Sequence, residues 1–81
     1  MPEALKDKQF VIGAKQVMKA IRAGRVLKVY TASDCDPIIS RPVVDLAEGN
    51  GLTVEPVPTR KQLGEMCGIK VKASCAAVVN N

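Results

Sequence analysis

The sequence switches repeatedly between two hydrophobic periods, and that alternation restricts the chain to a layered α/β fold. Between positions 14 and 23, Ala14, Val17, Met18 and Ile21 stand at i, i+3, i+4 and i+7, which is one face of a helix. Lys15, Lys19 and Arg22 repeat the spacing on another face, with Gly13 opening the segment and Gly24 closing it in a C-cap place. Val26 to Ala32 is then β-branched and mostly apolar, with Lys28 its one charge, and reads as a buried strand. Asp36-Pro37 has the form of an N-cap followed by proline at the first helical position. Ser40-Arg41-Pro42 is a second interruption, after which Val43, Leu46 and Ala47 restart an apolar stripe that Gly49-Asn50-Gly51 stops. Leu52 to Val57 alternates as a strand with one exposed face, and Pro56 sets its end or puts it at a sheet edge. Thr59-Arg60-Lys61-Gln62 matches a capping box, which predicts a short helix through Met66 ended by Gly68. Ile69 to Ser74 reads as a loop, and Cys75 to Val79 as a final buried strand. Helices alternating with short strands predict an α/β sandwich on a mixed sheet of about four strands.

The 81 residues suffice for one domain, taken here as 1–81. A domain of this size buries only about 60–65% of its unfolded surface, so its core has to be simple. The chain is 47% hydrophobic, with one Phe, one Tyr and no Trp, which excludes disorder and predicts an aliphatic core. Met1 to Lys8 is polar and charged, and the longest apolar run, Cys75 to Val79, is far short of a membrane span. A cytoplasmic location away from membranes is the expectation. Histidine is absent, which removes Cys–His zinc patterns and His-based catalysis together. The three cysteines, at 35, 67 and 75, read as reduced thiols packed as small hydrophobes. Asp34 and Asp36, two apart in a turn, suit capping rather than acid–base chemistry. No catalytic residue, metal or cofactor is expected.

Charge is unevenly spread. Residues 1–30 carry seven Lys/Arg against two acids, residues 31–57 carry one against five, and residues 58–81 carry four against one, for a total of +4. If the two basic ends fold together, one side of the protein is basic and the other acidic, an arrangement suited to a polyanion. Two segments concentrate this chemistry. A helix starting at Gly13 turns free backbone N–H groups and a partial positive charge outward. Lys15 and Lys19 add full charges, and Gln16 adds an amide able to read a base edge. By itself such a face is also what an ordinary solvated helix looks like. The second segment, Ile69-Lys70-Val71-Lys72-Ala73, alternates aliphatic and basic residues, which also describes an edge strand with one wet face. Phe10 and Tyr30 are isolated, with Tyr30 expected in the core, so stacking of single-stranded bases on an aromatic platform is not expected.

Taken in order, three motifs carry a family resemblance. The first is Gly13-Ala14-Lys15-Gln16, then two further positions, then Lys19. The second is Ala32-Ser33-Asp34-Cys35-Asp36-Pro37 at the end of a strand, and the third is Leu63-Gly64 with Cys67-Gly68 ahead of a variable loop and an apolar strand. In order and spacing, over roughly residues 8 to 79, the chain resembles the kink-turn-binding ribosomal protein family, often called the L-seven-Ae family, and most nearly its short bacterial members. The resemblance implies a three-layer α/β/α sandwich. It also implies a non-enzymatic protein that stabilises kink-turns, where tandem sheared G·A pairs follow a bulge and the RNA axis bends. The expected partner is such an RNA, whether ribosomal, riboswitch or other non-coding, with no DNA and with the protein a monomer. Carried over, the helix start at Gly13, Ala14, Lys15, Gln16 and Lys19 enters the RNA groove, with Arg22 further along the same basic face. Ile69, Lys70, Val71, Lys72 and Ala73 lie near the bulge, and Asp36 and Arg60 line the pocket of a flipped-out nucleotide. Archaeal and eukaryotic members usually carry Asn-Glu where this chain has Lys15-Gln16; glutamine can accept from a guanine edge and lysine cannot. The alternative class is a protein-interaction module on the same fold, docking through the acidic segment 34–55.

Overall fold

The computed structural model describes residues 9–79. Four strands, β1 (Gln9–Ile12), β2 (Val26–Ala32), β3 (Val54–Val57) and β4 (Cys75–Val79), alternate with three helices, α1 (Ala14–Arg22), α2 (Pro37–Gly49) and α3 (Arg60–Met66). The strands form a sheet of order β1-β4-β2-β3. β4 runs antiparallel to both β1 and β2, and β2 and β3 are parallel, so the sheet is mixed. β1 pairs with β4, so the first and last described strands lie side by side, and neither carries a Lys or Arg.

Each face of the sheet is covered, which makes the three-layer α/β/α sandwich. Val17, Ala20 and Ile21 of α1 and Val43 and Ala47 of α2 close over Val26, Val29, Cys75, Ala77 and Val79. On the opposite face Leu63 of α3 packs with Ala32, Val57, Ala73 and Ala76. β4 therefore contributes to two cores at once, and all five of its residues are buried, which is why it reads as an unbroken apolar run. The cysteines belong to the same packing. All three are free thiols, Cys35 and Cys75 buried and Cys67 half-buried. Burial pushes the Cys67 and Cys75 thiols up to about 11.

The termini of the helices follow their sequence signals. The Asp36 carboxylate accepts from Ile38 N at 3.0 Å, with Pro37 at the first helical position. The Thr59 hydroxyl accepts from Gln62 N at 3.1 Å, the backbone half of a capping box. α1 closes with Gly24 N donating to Ile21 O and Arg25 N to Ala20 O, the Schellman pairing.

Four details depart from expectation. β1 is a strand, although its four residues carried no distinct pattern. α2 does not break at Ser40-Arg41-Pro42; it is continuous, with Pro42 inside it. Proline removes the bond to the carbonyl of Ile38, but Ile38 is 81% exposed, so water can satisfy that oxygen. β2 carries a bulge between Val26 and Lys28, and Leu27 is turned half out of the core. Tyr30 is half-buried, with the Lys28 ammonium 5.2 Å from its ring centroid and bonded to Glu55 at 2.6 Å.

Candidate nucleic-acid interface

Strand direction decides where the interface residues go. β1 and β2 are each antiparallel to β4, and β3 is parallel to β2, so β1, β2 and β3 all point the same way. Their carboxyl ends, with the helices that follow them, gather at the end of the sheet where β4 begins. Ligands commonly bind outside the carboxyl ends of strands, where loops and helix N-termini converge.

Gly13 bridges β1 and α1. Its N–H donates to Cys75 O at 2.9 Å, which ties the helix start to the first residue of β4. Its backbone, at φ 97° and ψ 147°, lies where a side chain is strained, so glycine is required to turn the strand directly into the helix. Among the described residues no side chain caps α1, and the first intrahelical bond is Val17 N to Gly13 O at 2.9 Å. The N–H groups of Ala14, Lys15 and Gln16 thus precede the helical ladder and point outward along its axis. Lys15, Gln16, Lys19 and Arg22 are exposed, opposite buried Val17, Ala20 and Ile21. At 1.5 Å rise per residue Lys19 lies about 7.5 Å along the axis from Ala14 and Arg22 about 12 Å, at the helix's far end. The fold therefore unites Gly13 to Gln16 with the sheet end and leaves Arg22 outlying.

The basic segment is a loop and not an edge strand. It leaves α3 through a Schellman closure, Gly68 N to Glu65 O at 3.0 Å and Ile69 N to Gly64 O at 3.0 Å. It re-enters the fold through Ala73 N to Arg60 O at 3.1 Å and Ala32 N to Ser74 O at 2.9 Å. Ile69 is half-buried and Ala73 buried, so these two anchor the loop, while Lys70, Val71 and Lys72 stand exposed, Val71 at 68%. Lys61 and Glu65 on α3 form a groove with this loop.

Asp36 and Arg60 begin α2 and α3 at the same sheet end. Asp36 is exposed beyond its capping bond. Arg60 places its Nε 3.4 Å from Asp34 Oδ1 without forming a side-chain hydrogen bond.

The capping role expected of Asp34 holds, and Gly64 stands in the third motif, but what each residue contacts was not legible in the sequence. Asp34 accepts from the backbone N–H of Arg60 at 2.9 Å and so caps a helix 26 positions away. Gly64 is a buried helical glycine against which the carbonyl of Val71 lies so closely that an added Cβ would come within 2.1 Å of it. Besides its place in the Leu63-Gly64 motif, its sequence signal is a glycine in the middle of a short helix, which propensity disfavours and close packing explains.

Fold and site together define a small α/β/α domain that presents a helix N-terminus and a basic loop at one end of its sheet. The chain belongs to the ribosomal protein L7Ae/L30e/S12e/Gadd45 family, whose profile matches residues 1–81. It is 39% identical over 69 residues to an RNA-binding protein of Caldanaerobacter subterraneus subsp. tengcongensis, covering 85% of this chain and 84% of that one. With the same coverage it is 36% identical to an RNA-binding protein of Bacillus pumilus. Among solved structures, a protein of unknown function from Bacillus halodurans C superposes with a TM-score of 0.84 at 26% identity, covering 96% of this chain and 78% of that one. The Giardia lamblia 15.5kD RNA binding protein shares the fold, with a TM-score of 0.82 at 24% identity over 90% of this chain and 62% of that one. No helix among the described residues is long and apolar enough to cross a membrane.

Proposed function

We propose that this protein is a non-enzymatic RNA-binding protein that captures kink-turns in structured RNA and holds them bent. One observation carries the reading: the start of α1, which no described side chain caps, is tied by Gly13 N to Cys75 O at 2.9 Å, and the lysine-bearing loop runs directly into that same end of β4. Two surfaces able to meet phosphate, one with an amide beside it, are thereby held in fixed relation. A fixed pair of surfaces suits an RNA of definite shape better than a flexible strand. The curated relatives, named as RNA-binding proteins, support the same polymer.

In this reading the N–H groups and side chains of Gly13, Ala14, Lys15 and Gln16 enter the groove beside the G·A pairs, and Lys19 and Arg22 follow the phosphates. Ile69 to Ala73 abut the bulge, with Val71 offering apolar surface, and Asp36 and Arg60 flank a flipped-out nucleotide. A free kink-turn samples open and bent forms, and a protein that binds only the bent one shifts the population toward it. Such an RNA suits a ribosomal or other non-coding transcript in the cytoplasm, bound by a protein monomer.

A gel shift comparing a kink-turn RNA with a straight duplex of equal length tests this directly. Preference for the kink-turn is the expected result. Equal or absent binding to both favours the protein-interaction reading, which draws on exposed Ile38 and Ile39 at the start of α2, within the acidic segment.

A further inference from the structure

The Asp34 side chain links the turn after β2 to the returning end of the basic loop through the backbone of Arg60. It sits in the turn after β2, where Cys35 N bonds Ala32 O at 3.1 Å and Ser33 N bonds Val57 O at 2.7 Å, so the turn is anchored. Its Oδ1 accepts from Arg60 N at 2.9 Å. The carbonyl of the same Arg60 accepts from Ala73 N at 3.1 Å, the residue that returns the basic loop to the sheet. Two hydrogen bonds in series through one backbone unit thus run from the β2 turn to the end of the loop. The same carboxylate lies 3.4 Å from Arg60 Nε, which restrains the guanidinium at its inner end.

We propose that Asp34 is a positioning residue for RNA binding: it holds the first turn of α3, and through Arg60 the returning end of the Ile69 to Ala73 loop, in the arrangement that meets RNA. This rests on the reading of the interface given above. It has a consequence opposite to simple electrostatics. A carboxylate at a polyanion-binding surface repels phosphate, so deleting it should tighten binding if charge alone mattered. If Asp34 positions the loop, deleting it loosens binding although the protein becomes more positive.

The test uses Asp34→Ala and Asp34→Asn in the full chain. Asparagine keeps an oxygen that accepts from Arg60 N and loses only the charge; alanine loses both. Amide hydrogen exchange on the free protein is read at Ala73 and compared with Val29, whose N–H bonds Thr53 O at 3.0 Å. Affinity for a kink-turn RNA is read alongside. In Asp34→Ala, Ala73 exchange should rise about tenfold relative to Val29, and affinity should fall about tenfold, the scale of one lost charge-assisted hydrogen bond. Asp34→Asn should restore both to within about threefold. Unchanged Ala73 exchange in Asp34→Ala overturns the proposal, as does RNA binding equal to or tighter than that of the parent. If the parent protein binds no RNA, the functional reading fails by itself, and the exchange rates still decide whether Asp34 holds the loop.

Discussion

Two glycines sit inside helices of this protein, and they should respond to alanine in opposite directions. At Gly64 the added Cβ would lie 2.1 Å from the backbone oxygen of Val71. Ordinary contact between such a carbon and oxygen is about 3.3–3.6 Å, so helix and loop must separate by more than about 1 Å. The obstructing atom is backbone and cannot rotate aside. The separation strains the bonds from Ile69 N to Gly64 O and from Ala73 N to Arg60 O, 3.0 and 3.1 Å long. Overpacking costs about 1–3 kcal/mol, each weakened hydrogen bond up to about 1, and the better helix propensity of alanine returns about 1. The net expectation lies between about 0 and 4 kcal/mol of destabilisation, centred near 2, with weaker RNA binding because the displaced segment is the basic loop. At Gly49, near the end of α2, an added Cβ meets nothing within 4 Å, so alanine there should be neutral or stabilising by up to about 1 kcal/mol. Urea unfolding followed by circular dichroism measures both, with an unchanged m-value showing that stability alone has moved. A Gly64→Ala protein as stable as Gly49→Ala, with intact RNA affinity, refutes the close-approach argument.

Other consequences can be checked with similar assays. Lys19→Ala should weaken kink-turn binding by about 1–3 kcal/mol and reduce the slope of log affinity against log salt by about 1, as titrations at several ionic strengths would record. Gly13→Ala meets no steric obstacle but places alanine at φ 97°, so thermal unfolding should reveal a loss of about 1–3 kcal/mol. The Cys67 and Cys75 thiols stand near 11 in the folded state against an ordinary 9.0. Between about pH 9 and 11 the unfolded chain therefore releases thiol protons that the native chain retains. The stability these thiols contribute is complete below about pH 9 and fades as pH rises toward 11, which urea midpoints across that range would follow.

Local patterns revealed most of the fold because they record local energetics. The helix period of α1, the proline after Asp36 and the Thr59 cap each specify a structure within a few residues of themselves. β1 was not distinguishable on those terms. Gln9 to Ile12 is four residues long and becomes a strand by pairing with Val79 to Ala76, some seventy positions away at its outer end. Pro42 misled for a related reason, since the cost of its missing N–H depends on whether Ile38 O is wet, which is a property of the folded surface. Within the proposed interface, the exposed residues could be named from charge and motif. The contacts of the residues that hold them in place could not. Asp34 looks like a residue of its own turn until Arg60 is seen above it, and the role of Gly64 depends on a carbonyl seven residues later.

The order of strands also imposes an order in time. β4 lies between β1 and β2, is buried along its whole length, and is the last element of the sheet in sequence. Until residues 75–79 exist, β1 has no neighbour to pair with, and the β2–β3 pair keeps one edge open. A nascent chain on the ribosome can build its helices and its one parallel pair, but it cannot close either core early. Completion is left to long-range contacts, the slow kind. Such a chain remains exposed to aggregation until β4 has been made, and truncation just before Cys75 should leave a species for chaperones and proteases rather than a smaller working domain.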